Sequence, residues 1–226
     1  MQVKISPSLM CMDLLHIERE IKALEAKADY FHIDVIDWHY CKNMSLTPCF
    51  VEAISRITKV PQDVHLYVDN IELDLIEWCL DCGAQIITLP PEVVANQVMR
   101  IIRYIKSRNC RVGFFINPST GLETVKPYIG YIDRITVMTV DPGFAGQEFV
   151  PESLEKIRQA RSWKEAKGYH YEIACDGNCN EKYYKALYQA GCEVFILGST
   201  GLFGKASDTR KAIEIAEKEI LDEITD

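Results

Sequence analysis

No stretch of the 226 residues approaches the roughly 18 consecutive apolar positions of a membrane span. Positive charge is also in short supply. Lysine and arginine number 25 against 33 aspartates and glutamates, a net charge of −8. That argues against a nucleic-acid binder, since phosphate contacts need a basic face. An acidic chain can still take a small phosphate where backbone amides or a metal receive it. The opening MQVKISPSLM lacks signal-peptide anatomy, because a strand-like start runs directly into a helix-like segment. No linker or low-complexity segment divides the chain, so residues 1–226 read as one domain. A composition of 48% hydrophobic and 26% charged residues excludes a disordered chain.

Disulfide staples and a zinc ribbon are missing too. Nine cysteines is an odd count, in a chain too long to need staples. Cys79-x-x-Cys82 has no second pair at the required spacing. The cysteines read as structural thiols in a reducing compartment, by default the cytoplasm.

What the chain does have is alternation. Short apolar runs near 3–10, 29–37, 61–68, 86–89, 111–116, 134–141, 171–177 and 194–199 read as strands. Several are nearly continuous in apolar residues, as parallel strands buried on both faces are. Amphipathic segments lie between them. Residues 14–27 place Leu14, Ile17, Ile21 and Leu24 on one helical face, with Asp13 as a candidate N-cap. Thr47-Pro48 sets a cap residue before a first-turn proline. Residues 93–108 and 153–168 repeat the amphipathic pattern, Gly168 suits a C-cap, and a last helix runs from about 207 to 220. Eight strands alternate with about eight helices at a mean repeat of about 28 residues. A doubly wound sheet would advertise a glycine-rich loop after its first strand. Here SPSLMCMD has no glycine, and the glycines gather after strands six, seven and eight. A single α/β (β/α)8 barrel, the TIM-barrel fold, places its phosphate site there.

Chemistry in such a barrel gathers at the C-terminal strand ends. His32 and Asp34, two residues apart in strand two, share a face. His65 lies in strand three, and Asp176-Gly177 ends strand seven. His65 alone reads as a hydrogen-bonded core histidine. Aspartates inside apolar strands are costly unless they have partners. Two imidazoles and two carboxylates make a plausible divalent-metal site, for zinc, iron(II), manganese or cobalt. Asp37 and His39 fall in the loop after strand two, where they support the site or cap the loop. A second constellation is glycine-rich: Asp141-Pro-Gly143-Phe144-Ala145-Gly146-Gln147, Gly177-Asn178 and Gly198-Ser199-Thr200 follow three consecutive strands. Glycine lets backbone amides approach a phosphate without a Cβ in the way. Met10, Met12 and Met138 read as core or pocket lining, and Trp38 as a bulky residue shaping the pocket.

A metal between carboxylates beside a phosphate grip suits enolisation of a phosphorylated ketose, with charge stabilised as it develops. Carboxylates on opposite faces of a planar intermediate give epimerisation. A single base gives isomerisation or decarboxylation.

HIDVID, DVHLYV, VMTVDPGFAGQ, YEI-x-x-DG and GSTGLF together resemble the ribulose-phosphate 3-epimerase family over essentially the whole chain. ISPSLMCMDLL, MTVDPGFAGQ, DG-x-CN and TGLF look closer to its D-allulose-6-phosphate 3-epimerase branch. The resemblance implies one divalent metal on His32, Asp34, His65 and Asp176, with Asp34 as proton acceptor and Asp176 as proton donor. It implies substrate or phosphate contacts from Ser8, His65, Gly143, Phe144, Ala145, Gly146, Gly177, Asn178, Gly198, Ser199 and Thr200, and a homo-oligomer. The implied reaction converts D-allulose 6-phosphate to D-fructose 6-phosphate. The alternatives are D-ribulose 5-phosphate to D-xylulose 5-phosphate, or a non-catalytic sugar-phosphate-binding barrel. Related decarboxylase and aldol-type barrels carry a lysine in the strand-two run, which here reads Asp34-Val-Ile-Asp37. The chain departs from the family pattern at Asp37-Trp38-His39 (usually Asp-Gly-His), at Cys41-Lys42 (usually Val-Pro), at Tyr67 (usually methionine) and at Pro90 (usually histidine). It also lacks the methionine expected near Ile36.

Overall fold

A computed structural model describes residues 3–225. Eight strands lie where the apolar runs predict them: β1 Lys4–Pro7, β2 Phe31–Ile36, β3 Gln62–Tyr67, β4 Ile86–Leu89, β5 Arg111–Ile116, β6 Arg134–Met138, β7 Glu172–Asp176 and β8 Val194–Leu197. All pair in parallel, in the order β1-β8-β7-β6-β5-β4-β3-β2. A single parallel bridge, Ser8 to His32, closes the seam between β1 and β2. The result is a (β/α)8 barrel. The seam's bridge falls on residues the sequence assigns to the site.

The helices are α1 Ile17–Leu24, α2 Pro48–Ser55, α3 Leu73–Asp81, α4 Pro91–Val94, α5 Val98–Ser107, α6 Ser153–Lys167, α7 Tyr184–Ala190 and α8 Thr209–Thr225. Several boundaries differ from the amphipathic reading. Residues 14–16 form a 3-10 turn whose first amides are capped by Asp13, which accepts from Leu15 N at 3.0 Å. The α-helical register starts only at Ile17, so Leu14 falls off the buried face and is half exposed. The run 93–108 breaks between α4 and α5, where the Gln97 side chain donates to Ile71 O at 3.0 Å. Between β5 and β6 the connection is a 3-10 segment, Leu122–Tyr131. Pro127 within it has no N–H to give an α-helical ladder. Gly168 closes α6 in the left-handed conformation, as expected of a C-cap. The last helix continues beyond residue 220, to Thr225.

Strands β2 and β3 are buried at every position, because each is covered on both faces. Alternate side chains pack outward under the helices, as the main apolar core. The others fill the barrel in two plugs: Tyr30, Ile86, Ala174, Val194 and Ile196, and Ile36, Tyr67, Phe115 and Met138. Gly113 of β5 makes room inside. A Cβ there would sit 2.5 Å from Thr88 Oγ1 and 3.2 Å from Arg134 Cβ. Arg134 is fully buried in this interior. Its two terminal nitrogens reach Asp63 at 2.5 Å and Glu172 at 2.6 Å, and its guanidinium lies 4.1 Å over the Tyr30 ring. Lys4, Arg111 and the Tyr30 hydroxyl also hold Glu172, and Arg134 with Lys4 and Arg111 drives that carboxyl down to about 2 despite burial. The interior is therefore cross-tied by charge, and this network ends on the site.

Among the described residues, no helix is long and apolar enough to cross a membrane. The nine cysteines are all free thiols.

Candidate active site

Two-residue periodicity puts His32 and Asp34 on the inward face of β2. His32 Nε2 lies 2.8 Å from Asp34 Oδ1 and 3.5 Å from Asp176 Oδ2, at the end of β7. The His65 ring, from β3, meets the His32 ring edge-on, with centroids 4.1 Å apart. The two imidazoles and two carboxylates singled out in the sequence therefore meet at one place. Ser8 Oγ donates to the second oxygen of Asp34 at 3.1 Å. The Tyr67 hydroxyl donates to Asp176 Oδ2 at 3.2 Å.

The two carboxyls are pushed in opposite directions. Burial raises Asp34, but His32, His65 and the Ser8 hydroxyl outweigh it and hold the carboxyl below its ordinary value. Burial raises Asp176, the Asp34 charge adds to that, and the histidines and Tyr67 only partly offset them. Their environments set the two carboxyls apart, one below and one above the ordinary value. Burial works against a charged His32, but Asp34 and Asp176 raise it to about 9.

Sequence reasoning missed Asp63. It is fully buried on β3, two residues before His65, and accepts from His65 Nε2 at 3.2 Å. Thr88 Oγ1 and Arg134 Nη1 donate to the same carboxylate, at 2.7 and 2.5 Å. Burial opposes its charge, yet His65 and Arg134 hold it well below the carboxylate range. The i, i+2 spacing that paired His32 with Asp34 also pairs Asp63 with His65, and was the available signal.

These donors suit a divalent cation. Among the described residues, two triads bring ligand atoms within 4.8 Å of one another: His32 with Asp34 and Asp176, and His32 with Asp63 and His65. Asp63 is already taken by three donors. His65 Nε2 is committed to Asp63, and its Nδ1, like that of His32, is buried with no hydrogen-bond partner among the described residues. A carboxylate fixing one nitrogen while the other faces an ion is the usual support of a metal-bound histidine. The donor types suit a divalent ion, and the two triads share His32.

Above this cluster opens a cleft. Its lining includes Ser8, Asp34, Asp176, Gly143, Phe144, Ala145, Gly146, Gly177, Asn178, Gly198, Ser199 and Thr200. Every substrate contact expected from the sequence is thus on one surface, except His65. That ring is fully buried below the cleft, stacked on Phe115 at 6.0 Å, and does not line it. Gly177 has φ +113°, and a Cβ there would meet Val140 Cγ2 at 2.5 Å and Val140 N at 2.9 Å. Only glycine brings the β7 loop this close to the β6 loop. Thr200 Oγ1 and Asn180 Nδ2 both donate to Asn178 Oδ1, at 3.0 and 2.7 Å, tying the β7 and β8 loops together. In the turn after β8, the Leu202 and Phe203 N–H groups donate to Gly198 O at 3.0 and 3.2 Å.

Asp37 caps its loop: its carboxylate accepts from the His39, Tyr40 and Asp69 amides at 2.8, 3.0 and 3.1 Å. His39 is exposed and away from the cleft lining. Trp38, where the resemblance expects glycine, holds φ +71° in the left-handed region and is half exposed. Asn43 Nδ2 ties this loop to Gly143 O at 2.6 Å.

The sequence profile of the Ribulose-phosphate 3 epimerase family matches residues 4–203. The chain is 35% identical over 207 residues to "Ribulose-phosphate 3-epimerase 1" of Cupriavidus necator, covering 89% of this chain and 85% of that protein. It is 34% identical over 213 residues to "Ribulose-phosphate 3-epimerase" of Methanocaldococcus jannaschii, covering 94% and 88%. Its fold matches 3-hexulose-6-phosphate synthase from Salmonella typhimurium with a TM-score of 0.72 at 16% identity, over 98% and 100% of the two chains. That likeness speaks to fold alone. The chain belongs to the ribulose-phosphate 3-epimerase family.

Proposed function

We propose that this family member is a metal-dependent isomerase that inverts carbon 3 of D-ribulose 5-phosphate to give D-xylulose 5-phosphate. The observation that carries the reading is the pair Asp34 and Asp176, set around His32 on one cleft wall, with Asp34 held below and Asp176 pushed above the ordinary carboxyl value. The motif comparison favoured D-allulose 6-phosphate. The curated relatives described above are named for ribulose phosphate, which favours the pentulose.

In this reading His32, Asp34, His65 and Asp176 hold one divalent ion, of zinc, manganese, cobalt or iron(II) type. When bound, the ion stabilises negative charge developing on the substrate's oxygens. Asp34, ionised and steadied by Ser8, takes the proton from carbon 3. The electron pair spreads into a planar enediolate. Asp176 delivers a proton to the opposite face, and the centre inverts. General acid–base transfer of this kind contributes about 10²–10⁴-fold. The Gly143–Gly146 loop, Gly177-Asn178 and Gly198 to Thr200 surround the phosphate with backbone amides. That remote grip orients carbon 3 between the carboxyls. The free thiols fit a reducing compartment such as the cytoplasm.

The test is kcat/KM of metal-loaded protein on D-ribulose 5-phosphate and on D-allulose 6-phosphate. A preference for the pentulose supports the reading. A preference for the hexulose overturns the substrate, and no turnover on either overturns the activity. Asp176→Asn keeps the fold and loses at least about 100-fold in kcat.

A further inference from the structure

Tyr67 ends β3 and is almost fully buried, at 2% exposure, yet its hydroxyl edge reaches the cleft lining. A phenol O–H in such a place requires an acceptor. Two lie within reach: Asp176 Oδ2 at 3.2 Å and Met138 Sδ at 3.3 Å. A carboxyl oxygen is a stronger acceptor than a thioether sulfur, so the single hydrogen goes to Asp176. The ring is locked by Phe115, 4.4 Å away between centroids, and by Tyr40 at 5.9 Å. The hydroxyl is therefore a rigidly mounted donor.

The two carboxyls differ in their support. Asp34 has a donor on each oxygen, Ser8 on one and His32 on the other, at 3.1 and 2.8 Å. Asp176 Oδ2 has His32 at 3.5 Å, beyond good hydrogen-bond length, and Tyr67 at 3.2 Å. Removing the tyrosine hydroxyl takes a donor from Asp176 and does not touch the Ser8 and His32 contacts of Asp34.

We infer that Tyr67 is a positioning residue for proton transfer at one face of the substrate: its hydroxyl holds Asp176 in line for delivery to carbon 3, and has no part in the transfer by Asp34. The inference rests on the epimerase reading above. Its consequence is directional. After Asp34 breaks the C3–H bond, the enediolate has two fates. Asp34 returns a proton to the same face, or Asp176 delivers one to the opposite face. Weakening the hold on Asp176 favours return.

The experiment compares wild type with Tyr67→Phe, both metal-loaded, in deuterium oxide with D-ribulose 5-phosphate. The phenylalanine keeps the ring contacts. The measured quantity is deuterium at carbon 3 in recovered substrate, relative to inverted product. The expected result is a kcat about 10-fold lower with KM changed by less than about twofold. The ratio of exchange to inversion rises by a similar factor from D-ribulose 5-phosphate, and does not rise from D-xylulose 5-phosphate. Bound metal per chain stays at the wild-type value. An unchanged exchange ratio, or equal slowing of exchange and inversion, would overturn the inference while leaving the epimerase reading standing on the wild-type rate. Loss of metal in proportion to rate would also overturn it, by making the tyrosine a support of the ion instead. A wild type with neither exchange nor inversion would remove the epimerase reading, and the role of Tyr67 with it.

Discussion

Asp63→Asn is the sharpest probe of how the site is held. Asp63 Oδ2 takes His65 Nε2 at 3.2 Å and Arg134 Nη1 at 2.5 Å, and Oδ1 takes Thr88 Oγ1 at 2.7 Å. Asparagine has one acceptor oxygen and one donor amide. It must turn its oxygen to His65 and Arg134, and its NH₂ to the Thr88 hydroxyl, which can accept. His65 and Arg134 keep an acceptor and Thr88 Oγ1 turns from donor to acceptor, so the barrel still folds. The charge is lost, and fully buried Arg134 is left with Glu172 alone as counterion. Breaking one side of a buried ion pair costs about 3–5 kcal/mol, and the surviving neutral bond brings the expected loss to about 2–3 kcal/mol. His65 also loses the anion that fixes its Nε2–H, which lowers metal affinity by about 10–100-fold. The assay is competition for zinc against a chelating dye, beside urea unfolding. Thr88→Val is the control: it removes a donor to Asp63 but no charge, costing about 1 kcal/mol of stability with affinity within about threefold. A folded Asp63→Asn protein that binds zinc as tightly as wild type would refute the assignment of Asp63 to His65.

Other consequences are equally measurable. His32 is raised to about 9 by Asp34 and Asp176 against its burial, so it is protonated at pH 7 and an incoming ion must displace that proton. Calorimetric metal titrations in buffers of different ionisation enthalpy should show about one proton released per ion at pH 7, and affinity rising with pH up to about 9; no release would contradict the raised value. Glu172 is lowered from 4.5 to about 2 by Arg134, Lys4 and Arg111 despite burial. A lowered carboxyl stabilises the fold above the unfolded pKa, so up to about 3 kcal/mol should be lost as pH falls from 4.5 toward 2. Glu172→Gln should be less stable at pH 7 and flatter across that window; a wild-type slope in the variant would rule the group out.

Much of this protein was legible because its periodicities are simple. Parallel strands covered on both faces are written as apolar runs, and the eight cores of β1 to β8 fell where those runs lie. His32, Asp34 and Asp176 stood out because charged groups in such runs need a reason. The gaps have physical causes. Leu14 fits the α1 stripe only if the helix starts early, and Asp13 caps a 3-10 turn instead. Asp63, Thr88, Arg134 and Glu172 come from four different strands, and only closure of the barrel brings them together. A spacing rule applied within one strand cannot show a bond between β3 and β6. Tyr67 was visible as a departure from the family pattern. Its acceptor, 109 residues away, was not.

The central claim is that one cation joins His32, Asp34, His65 and Asp176. Anomalous diffraction from crystals of zinc- or manganese-loaded protein tests it most directly. The expected result is a single peak bonded by all four side chains, at about 2.0–2.2 Å for zinc, with Asp63 on His65 and outside the coordination sphere. A peak held by His32, Asp63 and His65 without Asp34 and Asp176, or no peak in the cleft floor, would contradict it.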